Sequence, residues 1–142
     1  MAEPTVLIEV AERALDPDAL RARLPISGCG AMVSFVGITR GEVDGVAVER
    51  LEFDAWRDRL PEVLEDLAQQ AIDEFGLGSV AMAHRVGSVG PEEPIVAIHV
   101  ASAHRAEAFA GCAWLIDSLK AQAPLWKKEF RADGVVWKGG LG

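Results

Sequence analysis

The chain has 142 residues and a formal net charge of −8; half of its residues are hydrophobic and a quarter are charged. This composition is ordinary for one globular domain, so we predict a single domain over residues 1–142, with residues 136–142 as a flexible tail. A nucleic-acid surface would need a broad basic footprint, and no apolar run approaches the roughly 20 residues that span a bilayer. The N-terminus lacks the features of a signal peptide, so we expect a cytoplasmic protein.

The N-terminal third predicts strand, helix and strand. Thr5–Val10 has the pattern of a short strand. Asp16 or Asp18 can cap a short helix that runs to about Leu24. Ala31–Ile38 is apolar and rich in β-branched residues, which indicates a buried strand.

The middle of the chain predicts a further strand and a long helix. A flexible turn over Gly41–Gly45 leads into Val46–Ala55, whose alternating pattern indicates a strand with an irregularity near Arg50. Pro61 suits the first turn of the following helix, and Gly76 ends it. The apolar face of this predicted helix consists of Leu60, Leu64, Leu67, Ala71 and Phe75.

The last part predicts two strands, a second long helix and a hairpin. Ser79–Arg85 and Ile95–Ser102 are predicted strands around a turn at Gly87–Pro94. A helix is predicted from Ala103 to Ala121, because Pro124 prevents its continuation. Its predicted inner stripe consists of Ala106, Phe109, Ala113, Ile116 and Leu119.

A closing hairpin, Leu125–Arg131 with Val135–Lys138, is predicted around Asp133-Gly134. The complete order of elements, β-α-β-β-α-β-β-α-β-β, mixes adjacent strand pairs with helices. It therefore favours the α+β class over a doubly wound parallel sheet.

All four lysines of the chain lie within residues 120–138. This segment holds five cations and two carboxylates, a net charge of +3, so the rest of the chain carries −11. A basic island on an acidic protein suggests a site for a small anion, although a solvated charge cluster is an equally good interpretation. No serine or cysteine is an evident nucleophile, so lysine-centred chemistry remains.

Further basic residues extend this hypothesis. His104 and Arg105 open the second long helix, where an anion would be favoured by the free backbone N–H groups, and Arg40 follows a strand end. Lys120 in the last turn of the same helix lies roughly 24 Å from His104 by helical rise. If both serve one site, that site must be built across a homodimer; each basic residue could equally face solvent.

The cysteines and histidines do not indicate a metal site. Cys29 and Cys112 share no metal-binding spacing and are interpreted as packing residues. The three histidines, His84, His99 and His104, include no pair at the helical i, i+4 spacing of a zinc site. We therefore expect no bound metal.

Several segments in a specific order resemble the large, catalytic subunit of molybdopterin synthase. The resemblance runs from about Gly30 to Trp137 and is strongest in Gly30–Arg40, His84–Gly87, Ser102–Arg105, Ala108-Phe109, Asp117–Lys120 and Ala123–Glu129. It implies an α/β hammerhead fold, with a mixed, largely antiparallel sheet and two long helices. It also implies a homodimer at the centre of a heterotetramer, whose outer partners are small ubiquitin-like carriers ending in a Gly-Gly thiocarboxylate.

The resemblance implies a sulfurtransferase that moves two sulfurs onto cyclic pyranopterin monophosphate to form the dithiolene of molybdopterin, with no resident cofactor. Lys120 and Lys127 would then be the catalytic lysines. The substrate and the carrier tail would be bound by Phe35, Ile38, Thr39, Arg40, His104, Arg105, Lys127, Lys128 and Glu129.

Two other functions remain open from the sequence. A non-catalytic module could use the same residues to bind a phosphorylated metabolite or a carrier protein, and loss of Lys120 would then weaken binding without changing a rate. A lysine Schiff-base enzyme would instead trap a carbonyl substrate on Lys120 or Lys127.

Overall fold

Two β-sheets and three helices make up the part of the chain that the computed structural model describes, residues 3–139. The helices are α1 (Pro17–Ala22), α2 (Leu60–Phe75) and α3 (Arg105–Gln122). The strands are β1 (Thr5–Ala11), β2 (Ala31–Ile38), β3 (Glu42–Val43), β4 (Val46–Ala55), β5 (Ser79–Arg85), β6 (Gly87–Val89), β7 (Pro94–Ser102), β8 (Leu125–Arg131) and β9 (Gly134–Gly139). The α+β class and the two long helices are confirmed.

The first sheet has the strand order β1-β5-β7-β2. Strands β1 and β5 are parallel, while β5–β7 and β7–β2 are antiparallel. Helices α2 and α3 cover one face of this sheet, where Leu64, Met82, Ile98 and Leu115 belong to the main hydrophobic core. Strand β2 lies at the edge, so one side of its backbone is not paired within the sheet.

The remaining strands form a second sheet instead of extending the first. Its order is β3-β4-β8-β9, and β6 also pairs with β4. The predicted irregularity near Arg50 is confirmed by a register shift between Val48 and Arg50. The predicted turn over Gly87–Pro94 was partly wrong, because residues 87–89 pair with β4 as strand β6.

Helix α2 follows the sequence prediction closely. Pro61 lies in its first turn, and Gly76 ends it in the left-handed conformation at φ 69°, donating its N–H to the Ile72 carbonyl at 2.8 Å. The buried residues of α2 are Leu60, Leu64, Leu67, Ala68, Ala71 and Ile72. Four of the five residues of the predicted apolar face are therefore buried, while Phe75 is partly exposed.

The predicted inner face of α3 was wrong for most of its residues. The buried residues are Ala108, Gly111, Cys112, Leu115, Ser118 and Leu119. Phe109 is 62% exposed, Ala106 and Ala113 are also exposed, and only Leu119 of the predicted stripe is buried. Helix α3 carries apolar residues on all of its sides, so its sequence pattern does not indicate which side is buried. Packing against α2 and the first sheet decides the orientation.

The predicted closing hairpin is confirmed, whereas the prediction of a flexible tail from residue 136 was wrong over residues 136–139. Residues 136–139, predicted as part of a flexible tail, belong to strand β9, which pairs with β8 through Lys128↔Trp137 and Lys127↔Lys138. The rest of the predicted tail, residues 140–142, lies outside the described residues. None of the helices within residues 3–139 combines the length and apolar character of a membrane span.

Candidate active site

A cavity of about 410 Å³ lies between the C-terminal end of β2, the last turns of α3 and strand β8. Its lining residues are Phe35, Val36, Gly37, Ile38, Arg40, Phe53, His84, Ile95, Val96, Ile116, Leu119, Lys120 and Lys127. The cavity therefore brings together five of the predicted site residues, namely Phe35, Ile38, Arg40, Lys120 and Lys127.

Three cations on the cavity wall come from three different elements. Arg40 follows the end of β2, Lys120 lies in the last turn of α3, and Lys127 lies on β8. Helix α3 ends just beyond Lys120, where the Ala123 N–H donates to the Leu119 carbonyl at 2.9 Å and Pro124 prevents continuation. The chain then turns directly into β8, so both lysines face one cavity.

Lys127 is half-buried among other positive charges. Burial lowers the pKa of its ammonium group from the ordinary 10.5; the Glu129 carboxylate opposes this shift, while Lys138, Arg40 and Lys120 add to it. The Lys127–Lys138 pair is a direct cross-strand neighbour pair of like charges. A lowered pKa makes the Lys127 ammonium group a better proton donor than an exposed lysine.

Glu129 provides the compensating negative charge. The residue is 3% exposed. One carboxylate oxygen lies 3.2 Å from Arg131 Nε, and the other lies 3.5 Å from Lys138 Nζ. Burial raises its pKa, but the Arg131 hydrogen bond and the charges of Lys138, Arg131 and Lys127 outweigh this and hold the pKa below its ordinary value. Glu129 is therefore a carboxylate at neutral pH.

Thr39 and Glu129 lie beside the main cavity instead of lining it. Both line a smaller compartment of about 70 Å³, which Arg40 and Lys127 also border. The two spaces therefore share their cationic residues. The family resemblance implied Thr39 and Glu129 as site residues, but nothing in the sequence indicated a separate compartment.

His84 and Phe53 line the cavity although the sequence analysis did not propose them as site residues. Burial lowers the pKa of His84 to about 4, an effect that the hydrogen bond to Arg85 partly opposes. Its Nδ1 donates to the Arg85 carbonyl oxygen at 2.7 Å, and its ring packs edge-on against Phe53 at 5.4 Å. This neutral imidazole adds a polar group without charge to the cavity wall. Its position at the end of an apolar strand was the sequence feature that could have indicated a site residue.

The remaining basic site residues at the start of α3 are not part of this cavity. His104 is the N-cap residue of α3 and Arg105 is the first residue of the helix, and both are exposed. Helical rise places them roughly 24 Å from Lys120. Within one chain they cannot contact a small ligand that the lysines hold.

Lys128 lies on the opposite face of β8 from Lys127, as strand alternation requires. Its ammonium nitrogen lies 5.0 Å from the centre of the Phe130 ring and 4.9 Å from that of Trp137. The structure therefore separates Lys128 from Lys120 and Lys127, although the resemblance grouped all three.

Comparison with known proteins identifies the family. Residues 10–122 match the model of the MoaE protein. The chain is 38% identical over 136 residues to the molybdopterin synthase catalytic subunit of Ralstonia nicotianae, an alignment that covers 94% of this chain and 76% of that protein. It is 41% identical over 108 residues to that of Caulobacter vibrioides, covering 76% and 71%.

The chain belongs to the MoaE family. The fold agrees with solved structures: the X-ray structure of molybdopterin synthase from Staphylococcus aureus matches with a TM-score of 0.86 at 28% identity, covering 92% of this chain and 96% of that chain. A protein–protein complex of subunits 1 and 2 of the molybdopterin-converting factor from Helicobacter pylori matches with a TM-score of 0.75 at 25% identity, covering 92% and 88%. The family resemblance of the sequence motifs is thus confirmed.

Replacing Glu129 with glutamine should destabilise the protein at neutral pH by about 1–3 kcal/mol, because Arg131 and Lys138 lose their buried counter-charge. The folded state lowers the pKa of Glu129, so its contribution is complete above the ordinary value of 4.5 and is lost as the pH falls through the folded-state pKa. Denaturant unfolding of the parent and Glu129→Gln proteins at pH 7 and at acidic pH measures the difference.

The matched control is Glu65→Gln, which makes the same chemical change at an exposed position of α2. We expect this control to leave stability within about 0.5 kcal/mol of the parent. Equal stabilities for the parent and Glu129→Gln at pH 7 would contradict the counter-charge role.

Proposed function

We propose that this chain is the catalytic subunit of a molybdopterin synthase, a sulfurtransferase that accepts sulfur from a thiocarboxylated ubiquitin-like carrier. The acceptor is cyclic pyranopterin monophosphate, and the product is the molybdopterin dithiolene. The observation that carries the proposal is the convergence of Arg40, Lys120 and Lys127 on one cavity of about 410 Å³. Such a cavity suits a phosphate-bearing heterocycle together with the anionic end of a second chain.

The chemistry requires no nucleophile from this chain. The thiocarboxylate sulfur of the carrier forms a bond to a carbon of the substrate as a carbon–oxygen bond at that carbon breaks and the oxygen leaves. Water then hydrolyses the acyl–sulfur bond, which leaves sulfur on the pterin and a carboxylate on the carrier. A second carrier supplies the second sulfur. Lys120 and Lys127 hold the thiocarboxylate and stabilise the negative charge that develops on the acyl oxygen during hydrolysis. We expect no resident cofactor in this scheme.

The edge strand β2 provides a path for the carrier tail. Residues 35–38 all line the cavity. Because alternate side chains of a strand point to opposite faces, a cavity that contacts all four residues must lie at the edge of β2. The sequence Ala31–Ile38 contains neither proline nor a charged residue, the features that commonly protect an edge. An extended Gly-Gly tail can lie along this edge without side-chain clashes and present its terminus to Lys120 and Lys127.

A homodimer would complete the site. Arg40 can hold the substrate phosphate from within the chain, whereas His104 and Arg105 can reach the same ligand only from a second copy. A two-fold dimer in which the two α3 helices lie antiparallel across the interface would bring the start of one α3 near the end of the other in both sites at once. The homodimer would then form the centre of a heterotetramer with two carriers.

We also assign this reaction to the cytoplasm. Both cysteines are free thiols: Cys112 is buried, and burial raises its pKa to about 11. Such a thiol is unreactive and fits the packing role that the sequence predicts.

The first test measures dithiolene formation from purified chain, cyclic pyranopterin monophosphate and a thiocarboxylated Gly-Gly carrier. Lys120→Ala and Lys127→Ala should each lower the rate by about 10²–10³-fold, because each removes a cation that stabilises developing charge. Lys128→Ala should retain most of the parent rate, since that lysine lies on the other face of β8.

Tight carrier binding without any product would favour the non-catalytic binding module, provided that a known synthase subunit works with the same reagents. Equal losses in Lys127→Ala and Lys128→Ala would contradict the assignment of the catalytic cavity. Borohydride trapping of a substrate on either lysine would favour the Schiff-base alternative.

The composite site predicts complementation between two inactive chains. A mixed dimer of Lys120→Ala and His104→Ala chains contains one site with neither substitution, so it should regain about half of the parent activity. A mixed dimer of Lys120→Ala and Lys127→Ala chains is the control, because each of its sites lacks one lysine. Activity measured after co-purification of differently tagged chains gives the result; no regain in the first pair would rule out the composite site.

A further inference from the structure

The position of Arg40 depends on the turn between β6 and β7, residues 90–93. Thr39, which precedes Arg40, pairs with this turn through both of its backbone groups. Its N–H donates to the Glu93 carbonyl at 3.0 Å, and its carbonyl accepts from the Glu92 N–H at 2.8 Å. Glu92 is in the left-handed conformation at φ 66°, which is uncommon for a residue with a side chain. Other contacts must therefore stabilise the turn in the form that pairs with Thr39.

The same turn approaches the residue that follows Arg40. A Cβ atom on Gly41 would lie 3.6 Å from the Cβ of Pro91, and the Gly41 carbonyl accepts from the Val48 N–H of β4 at 2.9 Å. Burial is the main cause that lowers the pKa of Lys127, and the charge of Arg40 adds to it, so the guanidinium lies near that lysine. Arg40 thus lines the cavity from a segment that is fixed on both sides.

Arg85, at the end of β5, holds the 90–93 turn in place. The residue is 7% exposed; its Nη2 donates to the Ser88 carbonyl of β6 at 2.8 Å, and its Nη1 lies 3.4 Å from one carboxylate oxygen of Glu93. The other oxygen of Glu93 accepts from the Gly90 N–H. One buried guanidinium therefore connects β5, β6 and both ends of the turn.

These contacts have a definite geometry because Arg85 is buried. An exposed ion pair contributes little and can rearrange in water, whereas a buried guanidinium is destabilising unless acceptors surround it. Glu93 supplies the only carboxylate within residues 3–139 that forms an ion pair with Arg85. Loss of either charge should therefore release the turn.

We propose that Arg85 is a positioning residue for substrate binding, which, together with Glu93, fixes the 90–93 turn and through Thr39 the place of Arg40. The inference rests on the proposed synthase function, in which Arg40 holds the substrate phosphate. Arg85 is not among the residues that line the cavity, so it acts on the ligand through these contacts. A guanidinium displaced by about one ångström loses the geometry of a paired hydrogen bond to phosphate.

The test measures the affinity of the chain for cyclic pyranopterin monophosphate by calorimetry, without carrier. Arg85→Gln and Glu93→Gln should each weaken binding by about 10-fold, because a displaced Arg40 keeps its charge but loses its hydrogen-bond geometry. Glu93→Gln removes a negative charge, which by itself would favour an anion, so weaker binding in this variant is not a simple charge effect. Arg57→Gln is the matched control, since it breaks the exposed ion pair with Glu12, and it should bind like the parent.

A double-mutant cycle separates positioning from a general structural effect. If Arg85 acts through Arg40, Arg85→Gln should change the affinity by less than about twofold in an Arg40→Ala background. A general loss of structure would weaken binding by the same factor in both backgrounds. Thermal unfolding confirms that each variant folds. If Arg85→Gln does not fold, Glu93→Gln takes its place in the cycle, because the Glu93 side chain is 39% exposed.

The possible outcomes distinguish the inference from the proposed function. Parent-like affinity in Arg85→Gln and Glu93→Gln, or an equal loss with and without the Arg40 side chain, would overturn the inference. A parent protein that binds the substrate and shows the expected losses, but forms no dithiolene with thiocarboxylated carrier, would overturn the proposed function alone. A parent protein without affinity for the substrate would overturn both.

Discussion

Lys127 is a half-buried ammonium among like charges, and the geometry of the site depends on how its charge is balanced. Glu129, two residues further along β8, supplies the opposing carboxylate, which Arg131 and Lys138 hold in place. Lys120 and Arg40 remain on the cavity side and favour an anion there. Glu129 therefore balances part of this positive charge, while the cations on the cavity side are available to bind an anionic ligand.

This arrangement explains why the proposed chemistry needs so little from the chain itself. Sulfur arrives as a nucleophile on the carrier, so the enzyme supplies position, positive charge and a proton-transfer group. A lysine whose pKa is lowered by burial and by neighbouring cations can stabilise negative charge and donates a proton more readily than an exposed lysine.

Local sequence patterns were sufficient to predict the elements in which the hydrophobic periodicity and the residues at the ends indicate the same structure. Alternation predicted β4 with its irregularity near Arg50, and helical periodicity with Gly76 predicted α2. The grouping of lysines within residues 120–138 pointed to a part of the chain that lines the cavity, because α3 ends just before β8 begins. The inner face of α3 was not predictable in the same way, because this helix carries apolar residues on all of its sides. Only tertiary packing decides which side is buried.

The finer parts of the site also depended on tertiary structure. Motif resemblance grouped Lys127 with Lys128, whereas the pleat of β8 directs them to opposite faces. Thr39 and Glu129 line a smaller space beside the main cavity, and this division is a property of the fold. Sequence spacing alone also cannot place His104 and Arg105, which we propose to act from a second copy of the chain.

The most direct test of this account is a titration of the lysine side chains by NMR. The chain has only four lysines, so their labelled Cε resonances can be assigned one by one. The account predicts that the pKa of Lys127 lies below its ordinary value of 10.5 and falls further in Glu129→Gln, where the opposing carboxylate is lost. A Lys127 that titrates at the ordinary value in both proteins would contradict it.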